Sequence, residues 1–102
     1  MSLEGILSYE GDVIYLKGDV HFNNVVSLFE SVIPYLQNRK SSIVDFSQVT
    51  DCNSAGIALI IECLKYATRH YQRLAFRNIP ATLRAIIDTS DLCHLIPIED
   101  VH

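Results

Sequence analysis

The chain is short of the residues that break, staple or charge a polypeptide. Four glycines and three prolines in 102 residues exclude a fibrous chain or a low-complexity linker. Three cysteines, Cys52, Cys63 and Cys93, are odd in number and unpatterned. They form no disulfide framework and read as reduced thiols of a cytoplasmic protein. Positive charge is also scarce, with eight Lys and Arg against twelve Asp and Glu and a formal net charge of −4. That balance argues against a nucleic-acid binder, which needs basic surface for phosphates, and against electrostatic attachment to anionic lipid. No apolar run approaches the roughly 18 residues of a membrane span; the longest without charge is Ala55 to Ile61. The opening MSLEGILSYEG has neither the basic nor the apolar part of a signal peptide. Any contact with a membrane is expected to come through a partner.

What is present is a globular composition, 49% apolar and 20% charged, with enough length for one core. Residues 4–9 and 12–18 read as two short strands around Glu10-Gly11-Asp12. From Phe22 the period changes. Phe22, Val25, Val26, Phe29, Val32, Ile33 and Leu36 recur every three or four residues, which predicts an amphipathic helix with these seven buried. Asn23 or Asn24 is available as its cap. Pro34 is expected to kink or shorten its last turn. Ser41 to Ser47 reads as a buried central strand, Gln48 to Asn53 as a loop, and Ser54 to His70 as a second helix. A strand at Arg73 to Arg77 follows, then a third helix opened by Pro80 with Leu83, Ile86 and Ile87 inward. His94 to Ile98 is a last short edge strand. The order ββαβαβα(β) predicts an α/β (α+β) domain, a small mixed sheet with helices mainly on one face. The whole chain, residues 1–102, is read as one domain.

The stretch IVDFSQVTDCNSAGIALIIECLKYA, residues 43–67, is the informative one. A strand ends at Phe46, a loop carries Asp51, Cys52 and Asn53, and Ser54 stands where a helix starts. Ala55, Gly56 and Ala58 leave the first turn nearly free of bulk, so another surface can approach it closely. Helix starts also present unpaired N–H groups and the positive end of the dipole. Ile57, Ala58, Leu59, Ile60 and Ile61 circle the axis at about 100° per residue, so they cannot all face one sheet. Apolar residues facing outward beside an exposed Ser would form a docking patch. The plainer reading is that the first helix covers them, and that Ser54 is simply a cap. Asn53 competes for the cap, which would leave Ser54 freer to face a partner.

This stretch resembles the signature of the STAS domain family, named for sulfate transporters and anti-sigma-factor antagonists. The family pattern is a hydrophobic strand with Asp and Ser, a loop, then Asp-Ser/Thr-small-Gly-hydrophobic opening a helix. Here Ile43-Val44-Asp45-Phe46-Ser47 supplies the strand and Asn53-Ser54-Ala55-Gly56-Ile57 the helix start. The Gly18-Asp19 step and the Pro80 helix start extend the similarity along the chain. The run Ser54 to Ile60 is most similar to the stand-alone MlaB-type members. The resemblance implies a non-enzymatic interaction domain bound to the ATPase of an inner-membrane ABC complex that moves phospholipid. In the related anti-sigma-factor antagonists the equivalent Ser is phosphorylated by an anti-sigma kinase. It implies Ser54 as partner contact or phosphoacceptor, Asn53, Ala55, Gly56, Ile57 and Ile60 as contacts, and Asp45 and Asp51 as positioners of the loop. Asn53 stands where the family usually has Asp; a neutral amide orients a hydroxyl or a kinase-bound metal less well, which weakens the phosphorylation reading more than the docking one.

The remaining candidates are weaker. Cys93-His94, with His21, His70 and His102, lacks the Cys-x-x-Cys or His-x-x-x-His spacing of common metal sites, so no metal or other cofactor is expected. No flanking signature supports a Cys–His nucleophile. Lys65, Arg69 and Arg73 complement the negative end of the second helix, with an acidic partner as the sharper alternative. The four glycines form no phosphate cradle.

Overall fold

The computed structural model describes residues 7–99; the expected strand residues 4–6 lie outside them. Strands β1 (Leu7–Glu10), β2 (Val13–Val20), β3 (Ser41–Cys52), β4 (Arg73–Arg77) and β5 (Ile98–Glu99) form one sheet in sequence order. Helices α1 (Val25–Leu36), α2 (Ala55–Arg69) and α3 (Ala81–Thr89) connect the last four. The β1–β2 hairpin is antiparallel and every later pairing is parallel. Parallel neighbours need crossover connections, and these keep one hand. Three such crossovers advancing in one direction bring all three helices to the same face. The mixed α/β sandwich expected from the element order is what forms.

Alternation along the strands sets the core. Ile14 and Leu16, Val44 and Phe46, and Leu74 and Phe76 point to the helices and are buried with Leu28, Val32, Leu59, Ile60, Leu83 and Ile87. On the other face, register places Tyr15, Asp45, Arg77 and Glu99 side by side across four strands.

Three expectations are corrected. The last edge strand is Ile98–Glu99 and not His94 to Ile98, because residues 93–95 turn back on Leu92 through the Leu95 and Ile96 N–H groups. Gln48 to Cys52 are not a loop but the second half of β3, paired to β2 from Lys17↔Gln48 to Val20↔Cys52, with one register shift just before this stretch and a second inside it. The second shift follows Gly18, whose φ of 79° suits a bulge that other residues adopt with strain. Ser47, Gln48, Thr50 and Asp51 are exposed, so the segment lacks the apolar content by which a strand is recognised. In α1 the buried residues are Leu28, Ser31, Val32 and Leu36, whereas Phe22 and Val26 are 67% and 65% exposed. Val25 and Val26 lie about 100° apart on the helix, and the inward face takes only the first. Pro34 sits inside α1 without ending it before Leu36.

Candidate docking site

The site gathers where β2 and β3 end and α2 begins. The Asn53 N–H donates to the Val20 carbonyl at 3.1 Å, fastening the turn to the end of β2. The Asn53 side-chain oxygen accepts from the Ala55 N–H at 2.8 Å. The Gly56 and Ile57 N–H groups donate to the Asn53 and Ser54 carbonyls. Asn53 therefore does the capping, and three donors of the first turn already have partners. The unpaired N–H groups expected at a bare helix start are not what this turn offers. Ser54 has helical backbone angles, φ −62° and ψ −11°, and its hydroxyl makes no capping bond. Its side chain is exposed. Capping is not its role.

The expected contact residues divide. Asn53 and Ile57 are partly accessible, but Ala55, Gly56 and Ile60 are buried. Ala55 and Ile60 are 0% exposed, so they are corrected from partner contacts to internal packing. The reason at Gly56 is α3. A Cβ there would lie 2.5 Å from Leu83 Cδ1 and 2.8 Å from Cys52 Sγ. The small residue admits the chain's own helix, not a partner.

The surface that remains open runs from Ser54 to Ala58, one turn on and on the same helix face. Ala58 and Glu62 form one wall of a groove of about 340 Å³ whose other wall is Val25, Val26 and Phe29. Phe22, two residues beyond Val20, is also exposed. Phe22 and Val26 are the residues that sequence reasoning missed. The signal was there: the apolar stripe of α1 is wider than one buried face.

Asp45 is buried, 1% exposed. One carboxylate oxygen accepts from the Ser47 N–H at 2.6 Å; the other accepts from Arg77 Nε at 2.8 Å and Asn78 Nδ2 at 3.1 Å. Burial alone would push this carboxyl up, but the bonds from Ser47, Arg77 and Asn78 outweigh it and hold it below its ordinary value. Asp45 thus ties the middle of β3 to the β4–α3 turn, and reaches the Ser54 turn only through that frame. Asp51 is exposed and meets His21 Nε2 at 3.2 Å, a brace between the ends of β2 and β3.

The family described as "Mlab, STAS domain" matches residues 7–97. Among curated proteins there is no match. The fold is similar to that of the anti-sigma factor antagonist SpoIIAA in its unphosphorylated form, with TM-score 0.71, 18% identity, and 94% of this chain and 86% of that one covered. It is similar too to a proposed anti-sigma factor antagonist from Thermotoga maritima, with TM-score 0.75, 15% identity and coverage of 93% and 85%. An anti-sigma factor antagonist from Mycobacterium paratuberculosis has TM-score 0.65, 14% identity and coverage of 90% and 80%. These likenesses establish the fold. No helix among the described residues is long and apolar enough to cross a membrane. STAS domains generally work as non-enzymatic modules that bind other proteins. With 91 consecutive residues matched, the chain belongs to the MlaB-type STAS domain family.

Proposed function

We propose that this domain is a docking subunit whose contact surface is Ser54, Ala58 and the apolar shoulder of Phe22 and Val26. Its partner is the ATPase subunit of an inner-membrane ABC complex that moves phospholipid, reached at the cytoplasmic side. One observation carries the reading: an exposed hydroxyl without a capping bond stands beside a groove with exposed apolar side chains. Large apolar side chains left in water next to a small polar centre are typical of protein contacts. An apolar contact there excludes charge and bulk, so Ser54→Arg blocks it.

The exposed hydroxyl also favours a second reading, an anti-sigma-factor antagonist in which Ser54 is phosphorylated. The added charge of about −2 suits the α2 dipole but opposes an apolar partner. Asn53 is engaged with Ala55 and Asp51 with His21, and among the described residues no carboxylate is bonded to the hydroxyl.

Affinity purification from native cells, wild type against Ser54→Arg, tests both. Recovery of an ABC ATPase with wild type alone supports the first reading. Recovery of an anti-sigma kinase, with phosphate on Ser54, replaces it by the second. Equal recovery by both proteins removes Ser54 from the interface.

A further inference from the structure

The turn after α3 brings three donors that are near neighbours in sequence within reach of one ion. Asp91, Cys93 and His94 are exposed, and one ligand atom from each lies within 4.8 Å of the others. His94 Nε2 and an Asp91 carboxylate oxygen are 3.2 Å apart. Two donors at about 2.0–2.1 Å from a tetrahedral ion stand about 3.3 Å from each other, so this pair already has the separation that shared coordination requires. We propose that Asp91, Cys93 and His94 form a three-donor site for a divalent transition-metal ion of the zinc type, its fourth position open to water or to a donor from another molecule.

The backbone supports the arrangement. Leu92 N–H donates to the Ile87 carbonyl, and the N–H groups of Leu95 and Ile96 both donate to the Leu92 carbonyl. Leu92 and Ile96 pack on the core. The segment is thus a closed turn pinned from below, with Asp91, Cys93 and His94 on its exposed side. Thiolate, imidazole and carboxylate together suit Zn²⁺ and its spectroscopic stand-in Co²⁺ better than Mg²⁺ or Ca²⁺, which take oxygen donors. Cys93 is the exposed thiol of the three; Cys52 is partly buried and Cys63 buried, the latter pushed up to about 12 by burial. Binding forms an S–metal bond as the Cys93 thiol loses its proton to solvent, with no change of oxidation state. A simple surface ion pair between His94 and Asp91 accounts for their distance as well, but assigns no part to Cys93.

Titrating the purified chain with Co²⁺ separates the two. The site predicts a thiolate-to-cobalt charge-transfer band that saturates at one ion per chain and is displaced by Zn²⁺. The band vanishes in Cys93→Ser and persists in Cys52→Ala. His94→Ala and Asp91→Asn each weaken binding by about tenfold or more, judged against the 10–100-fold that even outer-sphere partners of a metal contribute. Circular dichroism of these surface variants checks that the fold is intact. A band that survives Cys93→Ser, affinity indifferent to both His94→Ala and Asp91→Asn, saturation at one ion per two chains, or no band at all overturns the assignment.

Discussion

The first turn of α2 and the first turn of α1 invert the usual relation between size and burial. In α2 the small residues Ala55 and Gly56 are inside; Val26 in α1 and Phe22 just before that helix, both large, are outside. Small residues at a helix start suggest that something comes close, but not what. Here it is Leu83 of α3, close enough that a Cβ at Gly56 would collide with it. Bulky residues on an amphipathic stripe suggest a buried face, but the stripe of α1 exceeds the area its neighbours cover. On the proposed reading the partner surface is the α1–α2 groove, with Ser54 one turn before its Ala58 wall, and not the small-residue turn itself.

Substitutions on the two sides of this division are expected to behave oppositely, and the largest effect on stability belongs to the interior. Asp45→Ala leaves Arg77, whose side chain is 19% exposed, with the looser contact to Glu99 at 3.9 Å in place of its 2.8 Å partner. Removing one partner of a buried pair costs about 3 kcal/mol or more, read as a lower urea midpoint. The same pair sets an acid limit. Because Asp45 is held below its ordinary 3.8 in the folded chain, its stabilisation is complete above about pH 5 and is lost as pH falls through the lower folded value. Asp45→Asn should flatten that acid limb; an unchanged limb would assign acid sensitivity to other carboxylates.

Gly56→Ala comes next. Leu83 is 0% exposed and has little room to retreat, so overpacking should cost about 1–3 kcal/mol in thermal or chemical unfolding. If Gly56→Ala unfolds like wild type, α3 yields and the close approach is not what demands glycine. Val26→Asp should be smallest in stability, within about 0.5 kcal/mol as for surface changes elsewhere, while retention of the partner in co-purification is lost. A Val26→Asp protein that keeps its partner would move the interface away from this groove.

Much of the frame was legible along the chain. The periodic segments identified strand, helix and their order, because backbone hydrogen bonding within α2 and α3 depends on residues a few positions apart. Gln48 to Cys52 was not legible as strand: the polar side chains of Gln48, Thr50 and Asp51 conceal a segment that pairs with β2. The part played by Asp45 was half visible. A carboxylate at a strand's end implies donors nearby, but Arg77 lies 32 residues further on and nothing in the local pattern points to it. The Asp91, Cys93 and His94 cluster escaped for a different reason, since spacing rules drawn from helices and knuckles do not describe a tight turn.

The amino-acid order by itself determined the succession of elements, the one-sided placement of helices that follows from same-handed crossovers, and the capable pairing of Asn53 with Ser54 at a helix start. Tertiary structure alone decided which side of each helix is covered. Whether Ala55 meets water or Ile60 meets the sheet depends on α3 and the strands, elements set by distant parts of the chain. Local periodicity governs the state of the backbone, whereas exposure is a property of the neighbours that fold against it.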